Sequence, residues 1–142
     1  MNAQDFIRQK YGEPSPAYFS KYCILWEVQQ EFNWFPQRRI FINKDFADKL
    51  RIAFKQIEAA GLQDQIITFD GCYVERKVRG SNKISLHSWA MAIDLNAHLE
   101  KLGQVDTHFT QQFIDIMIAS GLFWGGNYKG RRDNMHFSLY NG

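Results

Sequence analysis

The sequence predicts an α+β domain, a small and mainly antiparallel sheet with helices packed on it, and three observations carry that prediction. Two segments, Phe46 to Ile57 and Phe109 to Met117, repeat their apolar residues at helical spacing. Two others, 90–97 and 135–139, alternate apolar and polar members with the period of a half-buried strand. Helices separate the strands, yet the chain closes on a strand that reads as an antiparallel partner for its predecessor.

Taken in order, residues 3–11 read as a short amphipathic helix stopped by Gly12, and Ser15-Pro16 caps and opens another. Lys21 to Phe35 contains the apolar run "YCILW", which periodicity assigns to neither helix nor strand. Asn43 to Ala60 is a core-packing helix through Phe46, Leu50, Ala53, Phe54 and Ile57, with Asn43 or Asp45 as cap and Gly61 as stop. Residues 65–74, "QIITFDGCYV", read as a strand, and 81–85 as a turn. In 90–97, Met91, Ile93 and Leu95 share one face and Ala92, Asp94 and Asn96 the other. Phe109, Phe113, Ile116 and Met117 stripe the second helix, with Asp106 or Thr107 as cap and Gly121 as stop. Gly125, Gly126 and Gly130 form a loop, and "MHFSLY" turns Met135, Phe137 and Leu139 inward, opposite His136 and Ser138.

A chain of 142 residues is expected to form one domain and to bury roughly 68–70% of the surface its unfolded form exposes. Its 45% hydrophobic and 23% charged residues exclude a disordered composition. A formal charge of +2 is too small to argue for nucleic acid; the local clusters Arg76, Lys77, Arg79 and Lys129, Arg131, Arg132 suit an anionic substrate or a solvated face about equally. Cys23 and Cys72 are expected as free thiols, since a domain of this size needs no staple. No apolar leader opens the chain and no run approaches the ~20 residues of a membrane span, so a cytosolic, soluble protein is expected.

Asp94 poses the chemical question. A carboxylate on a strand this apolar must be hydrogen-bonded, paired or bound to a cation. His136 stands on the corresponding face of the last strand, and His87 precedes Asp94 across a turn. Two imidazoles and one carboxylate are a ligand set that Zn²⁺ accepts, with the fourth position left for water. Asp133, on the loop side of His136, is a candidate general base, and Arg76 or Arg79 a candidate holder of a carboxylate or oxyanion. Each residue alone has a plain structural reading, as loop, cap or surface pair; their joint placement favours the metal. His98 and His108 lack such a setting and read as surface residues. Trp89 and Trp124 fit the core and a cleft wall equally well. No G-x-S-x-G, H-E-x-x-H, C-x-x-C or Walker lysine offers another chemistry.

"SLHSWAMAID" resembles the S-x-H-x-x-G-x-A-x-D signature, and "FWGGNYKGRRDNMHF" the W-G-G…D-x-x-H-F signature, of the zinc D-alanyl-D-alanine carboxypeptidase / L-alanyl-D-glutamate endopeptidase (LAS) metallopeptidases. The resemblance spans about Ile40 to Leu139. It implies a single peptidase domain over 1–142, with 1–40 as a helical and irregular N-terminal extension and 40–142 as the catalytic core. It implies zinc on the open sheet face, held by His87, Asp94 and His136, with Asp133 as catalytic base and Arg76 or Arg79 as the substrate and oxyanion arginine. Ser85, Trp89 and Trp124 would line the substrate groove. The implied partner is the peptidoglycan stem peptide, with no nucleic acid, no membrane and a monomeric state. A phage-type endolysin or virion enzyme, made in the cytoplasm and acting on the wall, fits a chain showing neither an export signal nor a wall-anchoring domain. A scaffold that kept its metal but lost turnover, serving assembly or recognition, is the alternative. Ala90 replaces the family's usual Gly, with strain of about 1 kcal/mol expected if the turn needs positive φ.

Overall fold

In a computed structural model, which describes residues 1–78 and 80–142, the chain forms an α+β fold with two antiparallel sheets. Helices α1 (Ala3–Tyr11) and α2 (Pro16–Tyr22) begin at Asn2 and Ser15, whose side chains accept the Asp5 and Tyr18 N–H groups. The ambiguous run resolves into strand β1 (Cys23–Trp26) and a single helical turn α3 (Val28–Glu31). Strand β1 pairs with β2 (Ile40–Asn43), joining Cys23 to Asn43 and Trp26 to Ile40. Helix α4 (Lys44–Ala59) follows without a break and turns Phe46, Leu50, Ala53, Phe54 and Ile57 into the core.

The second sheet has the order β3–β4–β6–β5, all antiparallel: β3 (Phe69–Gly71), β4 (Ala92–Leu95), β5 (Phe123–Trp124) and β6 (His136–Ser138). Helix α5 (Gln111–Ala119) packs on α4 and buries Phe113, Ile114 and Met117. Behind the sheet lie Ile93, Leu95 and Phe137, fully buried.

Several expectations need correction. The strand expected over 65–74 shrinks to three residues, because a bulge between Phe69 and Gly71, with Gly71 at φ +133°, breaks the register. The second helix is capped by Thr110, not by Asp106 or Thr107; Phe109 precedes the helix and still enters the core by stacking on Phe113 at 4.7 Å. Met135 is only half-buried and faces the cleft described below, since β6 begins one residue after it. The first forty residues contribute to the core: Ile7, Tyr18, Trp26, Val28, Phe32 and Phe35 belong to the same buried cluster as α4 and the second sheet. Cys23 and Cys72 are free and buried, as expected. Among the described residues no helix is long and apolar enough to cross a membrane.

Asn43 joins the two halves. Its Oδ1 accepts the Phe46 N–H to cap α4, its Nδ2 donates to the Tyr18 hydroxyl, and its own N–H donates to the Ala90 carbonyl. The Tyr18 hydroxyl in turn donates to the Trp89 carbonyl at 2.7 Å, so the turn that carries His87 is tied to α2 and β2. Asn43→Ala should therefore remove a cap and leave a buried phenol short of a donor, lowering stability by about 2–3 kcal/mol. Urea unfolding should show the midpoint fall with the slope unchanged.

Candidate metal centre

His87 lies on a 3-10 turn, Leu86–Trp89, opened by Ser85, whose hydroxyl accepts the His87 N–H. The imidazole is fully buried. Its Nδ1 donates to the Cys72 carbonyl at 2.8 Å, and a carbonyl can only accept. That bond places the ring proton on Nδ1 and leaves Nε2 with its lone pair free, beside Asp94.

Asp94 and His136 are direct cross-strand neighbours on β4 and β6. Adjacent side chains in such a pair stand about 5 Å apart at Cβ, so the register alone brings a carboxylate beside an imidazole. Asp94 Oδ2 lies 3.2 Å from His87 Nε2, and Asp94 Oδ1 lies 3.5 Å from His136 Nδ1. His136 Nε2 donates to the Gly142 carbonyl at 3.3 Å, which turns Nδ1 inward. One ligand atom from each of the three residues falls within 4.8 Å of the others. Ligands about 2.0–2.2 Å from a tetrahedral Zn²⁺ would stand roughly 3.3–3.5 Å apart; each imidazole lies near that distance from one Asp94 oxygen, and the group as a whole is somewhat wider, within 4.8 Å. His87 Nε2 and Asp94 Oδ1 are also buried without any hydrogen-bond partner, an arrangement that is costly unless a cation completes it. Burial raises the Asp94 pKa, but the adjoining His136 and His87 imidazoles outweigh it and hold the carboxyl well below the usual carboxylate range.

The turn between His87 and β4 passes through Ala90, at φ +55° and ψ +38°. This left-handed conformation carries the strain expected of a non-glycine residue, about 1 kcal/mol. The backbone around it is over-determined: the Ala90 N–H donates to the His87 carbonyl, and the Ala90 carbonyl accepts from Asn43.

Asp133 Oδ2 sits 4.0 Å from His136 Nδ1, and its Oδ1 is buried without a partner. Burial is the chief cause of its raised pKa, and the Asp94 charge adds to it against the opposing pull of His136. A carboxylate shifted upward is a better proton acceptor than an ordinary one. Its position depends on Gly125, where a Cβ would overlap the Asp133 carbonyl and crowd the His136 Cβ at 3.1 Å. At Gly126 a Cβ would overlap the Trp124 indole, so both glycines are required for close packing.

The cleft over these groups is lined by Arg76, Ser85, Tyr128, Arg131 and Met135 together with Asp94, Asp133 and His136. The backbone of Arg76 is clamped by Ser88, whose Oγ accepts its N–H, and by the Ser85 N–H, which donates to its carbonyl. Arg79 lies outside the described residues. Ser85 lines the cleft and also positions His87. Neither tryptophan lines it. Trp89 is fully buried, with Nε1 donating to the Gly12 carbonyl. Trp124 donates to the Asn134 carbonyl and stacks under Arg132, so it braces the Asp133 loop from behind. His98 and His108 are exposed, as expected. Ser88 and Tyr128 were not singled out in the sequence, where their place inside the two quoted motifs is the one signal pointing to them; Arg131 was named there only as part of a basic cluster.

Residues 79–139 match the family profile described as D-alanyl-D-alanine carboxypeptidase. That segment is under half of the chain and contains His87, Asp94, Asp133 and His136, with Arg76 just outside. No curated protein matches the chain. The match supports a peptidase of that family, and the His–Asp–His group gives it a place for a metal.

Metal-free protein should take up one equivalent of Zn²⁺ in a calorimetric titration, with a rise in Tm, and Asp94→Ala should lose both effects. Gly125→Ala should displace the Asp133 loop, lowering stability by about 1–3 kcal/mol in thermal unfolding.

Proposed function

We propose that this chain is a zinc-dependent peptidoglycan peptidase that hydrolyses a stem-peptide bond, either L-Ala–D-Glu or D-Ala–D-Ala, and that it serves as a phage-type lytic enzyme of the cell wall. One observation carries the reading: the partnerless His87 Nε2 and Asp94 Oδ1 face His136 Nδ1 in a cleft that also holds a second carboxylate of raised pKa. The family match over 79–139 supports the peptide-hydrolase chemistry.

His87, Asp94 and His136 would hold the ion. A bound Zn²⁺ supplies Lewis acidity, polarising the scissile carbonyl and easing the loss of a proton from water. Asp133 accepts that proton as the water attacks and returns it to the departing amine. Arg76 binds a substrate carboxylate or the developing oxyanion, and Arg131 adds a second positive charge to the same cleft. Two cations suit a stem peptide carrying a free carboxylate near the cleaved bond, which both candidate bonds provide.

Digestion of purified peptidoglycan, followed by mass spectrometry, tests the reading and identifies the bond. The wild type should release new amino termini, a chelator should stop it and Zn²⁺ should restore it. Asp133→Ala should keep its zinc and lose about 10²–10⁴-fold in kcat. A wild type that holds one zinc yet releases no amino termini would establish the alternative, a metal-binding module without turnover.

A further inference from the structure

Among the described residues, the cleft holds a polar side chain, that of Tyr128, which the mechanism above leaves idle. Tyr128 follows the 3-10 turn Gly125–Asn127, and the Gly125 carbonyl accepts both the Tyr128 N–H at 3.2 Å and the Asp133 N–H at 3.0 Å. One backbone oxygen thus pins the phenol-bearing residue and the proposed base in a constant relation. The Tyr128 ring centroid lies 5.9 Å from that of His136, and the residue lines the same cleft as Arg76, Asp94 and Asp133. The side chain is half-buried, and its hydroxyl has no hydrogen-bond partner among the described residues. A wall of the cleft would need only the ring. A hydroxyl without a partner on a residue that lines this cleft is free for a group that arrives with the substrate.

We propose that Tyr128 is a second hydrogen-bond donor to the scissile carbonyl oxygen as it becomes an oxyanion, alongside Arg76. The proposal rests on the peptidase reading of this cleft. The donors that face the reacting carbonyl are then one cation and one neutral phenol, while Asp94 and Asp133 are spent on the ion and the proton. A phenol keeps its proton at neutral pH and donates it, and its bond to an oxyanion is shorter and stronger than its bond to a neutral amide oxygen. The contact therefore strengthens between ground state and transition state, which makes it a term in kcat and leaves KM nearly unchanged.

Tyr128→Phe keeps the ring and its packing and removes one oxygen. In the zinc-loaded protein it should bind metal at the wild-type stoichiometry, lose about 10²-fold in kcat and leave KM within about threefold. A phosphinate analogue of the cleaved dipeptide, whose P–O⁻ stands in for the oxyanion, should bind Tyr128→Phe more weakly than wild type by the factor lost from kcat/KM. Wild-type kcat in Tyr128→Phe would overturn the proposal and leave the peptidase reading standing. A lowered kcat with unchanged phosphinate affinity and a shifted acid limb in the pH profile would overturn it too, making Tyr128 a positioning residue for Asp133. A wild type that cleaves no stem peptide would overturn the peptidase reading first and this role with it.

Discussion

Asp94 and His136 face each other across β4 and β6, and the rest of the site is arranged around that pair. Side chains alternate along a strand, so a slip of one residue in this register would swing Asp94 or His136 to the far face, into the space that Ile93 and Phe137 fill. The same packing that buries those two apolar residues therefore holds a carboxylate and an imidazole on the open side. Hydrophobic burial sets the register, and the register sets the chemistry.

Around this pair the protein concentrates features that would be unfavourable elsewhere. His87 Nε2, Asp94 Oδ1 and Asp133 Oδ1 are buried without partners, Ala90 sits at positive φ, and Gly125 leaves no room for a Cβ beside Asp133. Such a cluster persists only where the surrounding structure over-determines it. The determinants are visible: Cys72 fixes the His87 tautomer, Ser85 and Ser88 clamp the turn against Arg76, and Trp124 braces the Asp133 loop. A divalent cation would relieve the electrostatic part of this load and leave the backbone strain in place.

The N-terminal segment through Asn43 supplies rigidity to that turn. Tyr18 and Asn43 hold the backbone of Trp89 and Ala90, while the Trp89 indole reaches the Gly12 carbonyl. The segment most remote in sequence from the candidate ligands thus carries their support, and it lies outside the stretch that matches the peptidase family.

The sequence by itself determined the α+β class, the long helix from Asn43 to Ala60, the alternation on β4 and β6, and the set His87, Asp94, His136 with Asp133 close by. These are local or periodic properties, readable because burying one face of a helix or strand imposes a spacing on the chain. Only the tertiary structure decided which tryptophan faces what, because both indoles satisfy apolar environments equally and differ in the carbonyl each can reach. It likewise shortened the strand at 65–74, moved the second helix cap to Thr110 and brought Met135 and Tyr128 to the cleft. Those outcomes depend on a bulge, a competing hydroxyl and a loop pinned by one glycine carbonyl, and long-range packing chooses among such options with no periodic trace in the chain.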